Sequence, residues 1–251
     1  MTDSILTMID VTTPDGVMPT YVHTPHGEGP WPTVIMMMDA GGIRPAMQDL
    51  AARLASHSFA VFLPDLFYRS GPYEPVDVKK TLGTPELWEA HRAKFMTSVP
   101  PKATVSDLGA LLEAIVLHDA AQGGPVGIVG YCMGGRLALL AAGSFGDRID
   151  IAASYHGGGL ATQDADSPHH LAPRISAKVY VAGASEDKSF DEAQKARLIA
   201  ALDEAKVDST VETYPAHHGW VPADMPAHDP AEAEHHWQTL VPLMEELRQP
   251  A

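Results

Sequence analysis

The chain has 251 residues and one cysteine, Cys132, and the residues around that thiol define what it can do. Residues 126–129 (Val-Gly-Ile-Val) form a short apolar strand, small residues close it, and residues 137–142 resume as a helix. Cys132 therefore falls at a strand-to-helix turn. Gly130, Gly134 and Gly135 leave room for a cramped backbone and a closely approaching helix, while the amides that open the helix face developing negative charge. Gly130-Tyr131-Cys132-Met133-Gly134 has the spacing of a Gly-x-nucleophile-x-Gly elbow, with Cys where Ser is usual. A helix N-terminus favours the thiolate.

A cysteine nucleophile needs a base, and a third group must orient that base. Glu186 and Asp187 follow an apolar strand at 178–182, and His217 and His218 follow a later strand at 210–214. The order is Cys, acid, His. Residue chemistry alone leaves both pairs open.

The elements that would position these groups are legible as buried runs. Residues 6–23 suggest two strands about the turn Pro14-Asp15-Gly16, and 33–38 (Thr-Val-Ile-Met-Met-Met) form a strand buried on both faces. A helix is expected from Met47 to Leu54, a strand at 60–63 ending at Pro64-Asp65, a long loop over 66–77 and an inserted helix at 85–95. Leu108, Leu111, Leu112 and Ile115 make the buried stripe of a helix at 105–118. Further strands are expected at 151–155, 178–182 and 210–214, a loop at 160–174, and helices at 191–205 and 231–247. Alternating strands and helices call for crossover connections in a mainly parallel sheet flanked by helices, an α/β class. Ligand chemistry in such a sheet gathers beyond the carboxyl ends of the strands, where the Cys, acid and His loops all leave. With no internal repeat or linker, residues 1–251 read as a single domain.

A lone cysteine excludes an intrachain disulfide and a multi-cysteine metal cage. The formal charge of -15 and scattered basic residues argue against a nucleic-acid partner. The start, Met1-Thr2-Asp3-Ser4-Ile5, lacks a basic segment followed by an apolar run, and no later run reaches membrane-spanning length. A cytoplasmic protein with no membrane association is expected. His169-His170 and His235-His236 do not supply a metal-ligand set, and Gly157-Gly158-Gly159 lacks the Lys and Ser/Thr of a phosphate loop. No metal or cofactor is expected.

At this point the chain resembles the dienelactone hydrolase family of the α/β-hydrolase fold. The resemblance runs from the 34–38 strand and Pro64-Asp65-Leu66 through Gly130-Tyr131-Cys132-Met133-Gly134-Gly135 to residues 183–187 and 216–220. It implies Cys132 as nucleophile, Asp187 as orienting acid and His218 as base. It also implies an auxiliary acid at Asp39, where the family usually has glutamate, and an oxyanion site built from the Met133 and Ala40 amides. The family's arginine shortly after the catalytic histidine is missing from His218-Gly219-Trp220-Val221-Pro222, which weakens the case for dienelactone specificity. Arg44, Arg69 and Arg92 are candidate anchors for a substrate carboxylate, and Tyr131 and Trp220 candidate pocket walls.

The expected activity is cysteine-dependent cleavage of a small enol-lactone or activated ester through an acyl-enzyme. A thioesterase or broad carboxylesterase on the same scaffold is the first alternative. A thiol redox sensor or noncatalytic binding protein is the second, disfavoured because no resolving cysteine exists in the chain.

Overall fold

A computed structural model describes residues 4–248. Met1, Thr2 and Asp3 of the N-terminal stretch read above, and residues 249–251 of the expected 1–251 domain, lie outside the described residues.

The chain opens with a hairpin, β1 (Ile5–Thr13) and β2 (Gly16–Thr24), followed by β3 (Thr33–Met37), α1 (Pro45–Ala55) and β4 (Ala60–Pro64). An insertion then carries α2 (Val78–Gly83) and α3 (Pro85–Lys94), after which α4 (Pro101–Val116) leads to β5 (Val126–Tyr131) and α5 (Met133–Phe145). The remainder is β6 (Ile149–Tyr155), β7 (Lys178–Ala184), α6 (Glu192–Glu204), β8 (Ser209–Tyr214) and α7 (Pro230–Glu245).

Among the described residues the strands form one eight-stranded sheet, ordered β1-β2-β4-β3-β5-β6-β7-β8. The β1–β2 and β2–β4 pairs are antiparallel and all others parallel. This is an α/β-hydrolase fold. Every residue of β3, β4 and β5 is buried, as their unbroken apolar runs require when helices cover both faces.

The two faces can be read from β5 itself. A side chain at Gly127 would meet Met244 of α7, whereas one at Gly130 would meet the backbone of Gly134 in α5. Positions 127 and 130 have opposite parity along a strand, so α7 and α5 cover opposite faces. Helix α1 joins α7 through Arg53, which bonds Glu234 at 2.7 Å and lies 4.6 Å over the Trp237 ring. Helix α4 joins α5, with Gly109 opposite the Phe145 ring.

Three segments depart from expectation. Helix α5 begins at Met133, immediately after the cysteine, because Gly134 and Gly135 pack inside the helix rather than in a linker ahead of it. The run after the long loop forms α2, whose N-cap Asp77 accepts a hydrogen bond from the Lys80 amide at 3.0 Å. The segment expected as a loop at 160–174 contains a 3-10 stretch at Pro168–Arg174. No helix among the described residues is long and apolar enough to cross a membrane.

Candidate active site

Strands β3, β5, β7 and β8 run in one direction, so their carboxyl ends share an edge of the sheet. Asp39, Cys132, Asp187 and His218 all follow those ends. Cys132 caps α5 with φ 53° and ψ -114°, a sparsely populated conformation that costs on the order of 1–3 kcal/mol. It is held by its own amide, which donates to the Tyr155 carbonyl at 3.1 Å, and by its carbonyl, which accepts from Gly135 at 3.0 Å. The close approach demands glycine, since a Cβ at Gly134 would collide with the Met37 carbonyl. The result is a thiol lifted out of the sheet at the first turn of a helix.

His218 Nδ1 lies 2.7 Å from Asp187 Oδ2, and the Cys132 thiol is a second hydrogen-bonding neighbour of the ring. A carboxylate can only accept, so Nδ1 carries the proton and Nε2 is the nitrogen left for sulfur. Asp187 is itself fixed: its Oδ1 accepts from the Ser189 amide at 2.8 Å and the Ser189 hydroxyl at 2.6 Å. That Asx-type turn loads one carboxylate oxygen and turns the other toward His218. The neighbours that residue chemistry left open, Glu186 and His217, are both exposed.

Burial disfavours a charged His218, but its hydrogen bonds to Asp187 and Cys132, with the charges of both partners, outweigh that effect and push it up to about 10. Burial would raise the Asp187 carboxyl, yet bonds from His218 and Ser189 hold it below the usual carboxylate range. The imidazolium is thus favoured at neutral pH, flanked by a carboxylate on one side and sulfur on the other. The His218 side chain remains 28% exposed, which leaves it open to water.

Two clefts meet at Cys132 and His218. One, of about 220 Å³, has apolar walls from Val76, Val78, Leu82, Trp88 and Met225, and is also lined by Asp39, Ala40 and His91. The other, about 480 Å³ and more open, is bounded by Met96, Met133, Arg136, Lys188 and Ser189. Met133 is the first residue of α5, so its amide is not consumed by the helix ladder. Ala40 lines the smaller cleft, in the turn closed by the Gly42 amide bonding the Asp39 carbonyl at 3.1 Å.

Asp39 is 2% exposed and bound to Arg44, with Oδ1 to Nη1 at 2.6 Å and Oδ2 to Nη2 at 2.9 Å; Oδ1 also accepts from the Gly41 amide at 2.8 Å. The other edge of Arg44 grips Asp224, at 2.7 and 3.0 Å. Burial opposes the Arg44 charge, but these two carboxylates raise its pKa above the ordinary arginine value. Arg69 pairs with Asp107 at 2.8 Å and Asp15 at 2.9 Å, and Arg92 lies exposed 3.6 Å from Glu89. These three arginines are absent from the walls of both clefts.

Tyr131 and Trp220 are fully buried beneath the site rather than in its walls. The Tyr131 hydroxyl bonds His236 Nε2 at 3.0 Å, and Trp220 stacks on Tyr214 at 5.2 Å. His235 packs on Tyr214, and His169 bonds Ser167. No cluster of metal-ligating side chains occurs among the described residues. The 157–159 glycines form a turn in which the Gly159 amide bonds the Ser189 carbonyl at 2.7 Å.

Sequence reasoning missed Ser189, Asp224, His91 and the cleft residues Arg136 and Lys188. The Asp187-x-Ser189 spacing is a visible Asx-turn signal. Asp224, His91 and Arg136 bond partners distant in the chain, Arg44, Ala40 and Gly159, which no local pattern announces.

The mainly parallel eight-stranded sheet and its flanking helices define an α/β-hydrolase fold. The family model of the dienelactone hydrolase family matches residues 18–247, and the chain belongs to that family. Carboxymethylenebutenolidase of Pseudomonas putida is 30% identical over 139 residues, a match that spans 54% of this chain and only about half, 54%, of that relative. Dienelactone hydrolase from Anabaena variabilis superposes with a TM-score of 0.69 at 16% identity, covering 97% of this chain and 98% of the other. A dienelactone hydrolase-like promiscuous phosphotriesterase from metagenomic libraries gives a TM-score of 0.73 at 23% identity, covering 96% and 98%.

Proposed function

We propose that the chain acts as one domain that hydrolyses an enol-lactone or activated carboxylic ester, with Cys132 as nucleophile, His218 as base and Asp187 as its orienting acid. The observation that carries this reading is His218 held between the Asp187 carboxylate and the Cys132 thiol. Sulfur attacks the carbonyl carbon, forming a C–S bond while the carbonyl electrons move to oxygen. The Met133 and Ala40 amides receive that oxyanion. Its collapse breaks the C–O bond, and the His218 imidazolium protonates the departing enolate or alkoxide, leaving a thioester on Cys132. Water then attacks the thioester, gives a proton to His218 and releases the acid with the thiolate restored. These steps require no cofactor. A stabilised enolate leaves more easily than an ordinary alkoxide, which suits a thiol nucleophile. Family membership and the relative named carboxymethylenebutenolidase support the lactone class.

Asp39 serves as an auxiliary acid only after release from Arg44, because both its oxygens are engaged there. The apolar walls of the smaller cleft favour a neutral acyl group, which also supports the second reading, a broad carboxylesterase or thioesterase. Intact-protein mass spectrometry during turnover of enol-lactones, aryl esters and acyl thioesters tests the proposal. A transient adduct mapping to Cys132, absent in Cys132→Ala, is expected. An adduct elsewhere, with full turnover in Cys132→Ala, rules it out.

A further inference from the structure

The α2–α3 insertion forms one wall of the small cleft, yet it is weakly tied to the body. Val78 is the only buried residue of α2 and His91 the only one of α3. His91 is enclosed by aromatic rings, stacked on Trp88 at 5.6 Å and packed against Phe67 at 5.9 Å and Phe95 at 4.9 Å. Aromatic packing alone would be met by phenylalanine. What phenylalanine lacks is the bond from His91 Nε2 to the Ala40 carbonyl, at 2.6 Å. A carbonyl only accepts, so Nε2 carries hydrogen and the ring is a donor at this atom.

That carbonyl belongs to the Ala40–Gly41 peptide, whose N–H donates to Asp39 Oδ1 at 2.8 Å. The preceding peptide is fixed by Gly42, whose amide bonds the Asp39 carbonyl at 3.1 Å. Ala40 lines the cleft that also holds Cys132 and His218, and under the hydrolase reading the N–H of this preceding peptide is the oxyanion donor. The orientation of that donor depends on the two peptides flanking Ala40, and His91 is the only side chain outside residues 39–44 seen to bond either of their carbonyls among the described residues.

We propose that His91 is a positioning residue: its bond to Ala40 links docking of the α2–α3 insertion to alignment of the oxyanion donor beside Cys132. The inference rests on the hydrolase reading above. The insertion thereby does two jobs at one contact, walling the acyl cleft and setting the turn that receives negative charge. A donor misplaced by a fraction of an ångström lowers transition-state binding while leaving the apolar cleft, and so ground-state binding, largely intact.

The test compares His91→Phe, which keeps the ring packing and removes the donor, with His91→Gln, which retains a side-chain N–H. Both are assayed on an activated aryl ester beside wild type and Cys132→Ala, with melting temperatures and the rate of Cys132 alkylation measured in parallel. His91→Phe is expected to lower kcat about tenfold or more with KM changed less than about threefold, and His91→Gln to recover kcat to within about threefold. Alkylation rates should be unchanged in both. Should His91→Phe fail to fold, His91→Met carries the same comparison. Wild-type kcat in His91→Phe, or equal losses in both variants, overturns the positioning role while leaving the hydrolase intact. Lack of ester turnover by wild type, or full turnover by Cys132→Ala, overturns the hydrolase reading and this inference with it.

Discussion

Arg44 and Asp39 meet in a two-pronged contact, 2.6 and 2.9 Å, with side-chain exposures of 1% and 3%. Removing one member of a buried pair strands the other charge, so Arg44→Met is expected to cost about 3–5 kcal/mol. Asp224, the outer partner, is 36% exposed, and Asp224→Asn should cost less than about 1 kcal/mol. Urea denaturation of the two variants checks the contrast; equal losses would contradict it.

Asp187 fixes the tautomer of His218 and supports its charge. Asp187→Asn is expected to lower kcat about 10²–10⁴-fold with little change in KM. Because the carboxylate helps push His218 up to about 10, its loss should also move the basic limb of the pH–rate profile to lower pH. A profile that stays in place would show that Asp187 does not act through His218.

Substrate charge should matter little. The family's arginine after the histidine is replaced by Val221 and Pro222, and Arg44, Arg69 and Arg92 are paired with carboxylates. For a matched pair of lactones, one with a free carboxylate and one with a neutral isostere, kcat/KM is expected to differ by less than about tenfold, or about 1.4 kcal/mol. A larger preference for the anion would point to Arg136 or Lys188 in the open cleft as the anchor.

Acid should destabilise the fold through its buried imidazoles. Burial pushes His236 down to about 3 and His156 well below the ordinary histidine value, the latter reinforced by the charges of His218 and His236. The unfolded chain takes up these protons near pH 6.5 and the folded chain does not. Stability is therefore intact above that pH and falls as pH drops, by up to about 1.4 kcal/mol per pH unit for each group. His218 has the opposite sign: its contribution is complete below pH 6.5 and is lost as pH rises through about 10. Urea unfolding at pH 7 and 5 should show the acid loss, and His236→Phe should reduce the slope by about one proton.

Gly130→Ala should abolish the elbow. Its Cβ would strike the Gly134 carbonyl, which is helix backbone and cannot rotate away, so a loss above about 3 kcal/mol is expected. An equally stable variant with unchanged turnover would mean that α5 can shift without cost.

The strands β3, β4 and β5 and the elbow were legible in the sequence because their signals are local: unbroken apolar runs of strand length, and glycines at fixed offsets from Cys132. Family resemblance added Asp187 and His218, but the residue types at 186–187 and 217–218 did not distinguish neighbours of like chemistry. Tertiary packing treats them differently: Asp187 and His218 bond each other at 2.7 Å, while Glu186 and His217 are exposed. It also committed Asp39 to Arg44, drew Tyr131 and Trp220 into the core, and brought His91 from an otherwise exposed helix onto the Ala40 carbonyl. Local pattern determines which segments must be buried and where the chain turns sharply. Which polar groups then meet depends on contacts across 51 residues for His91 and Ala40, and 180 for Arg44 and Asp224, and those separations are closed only when the sheet assembles.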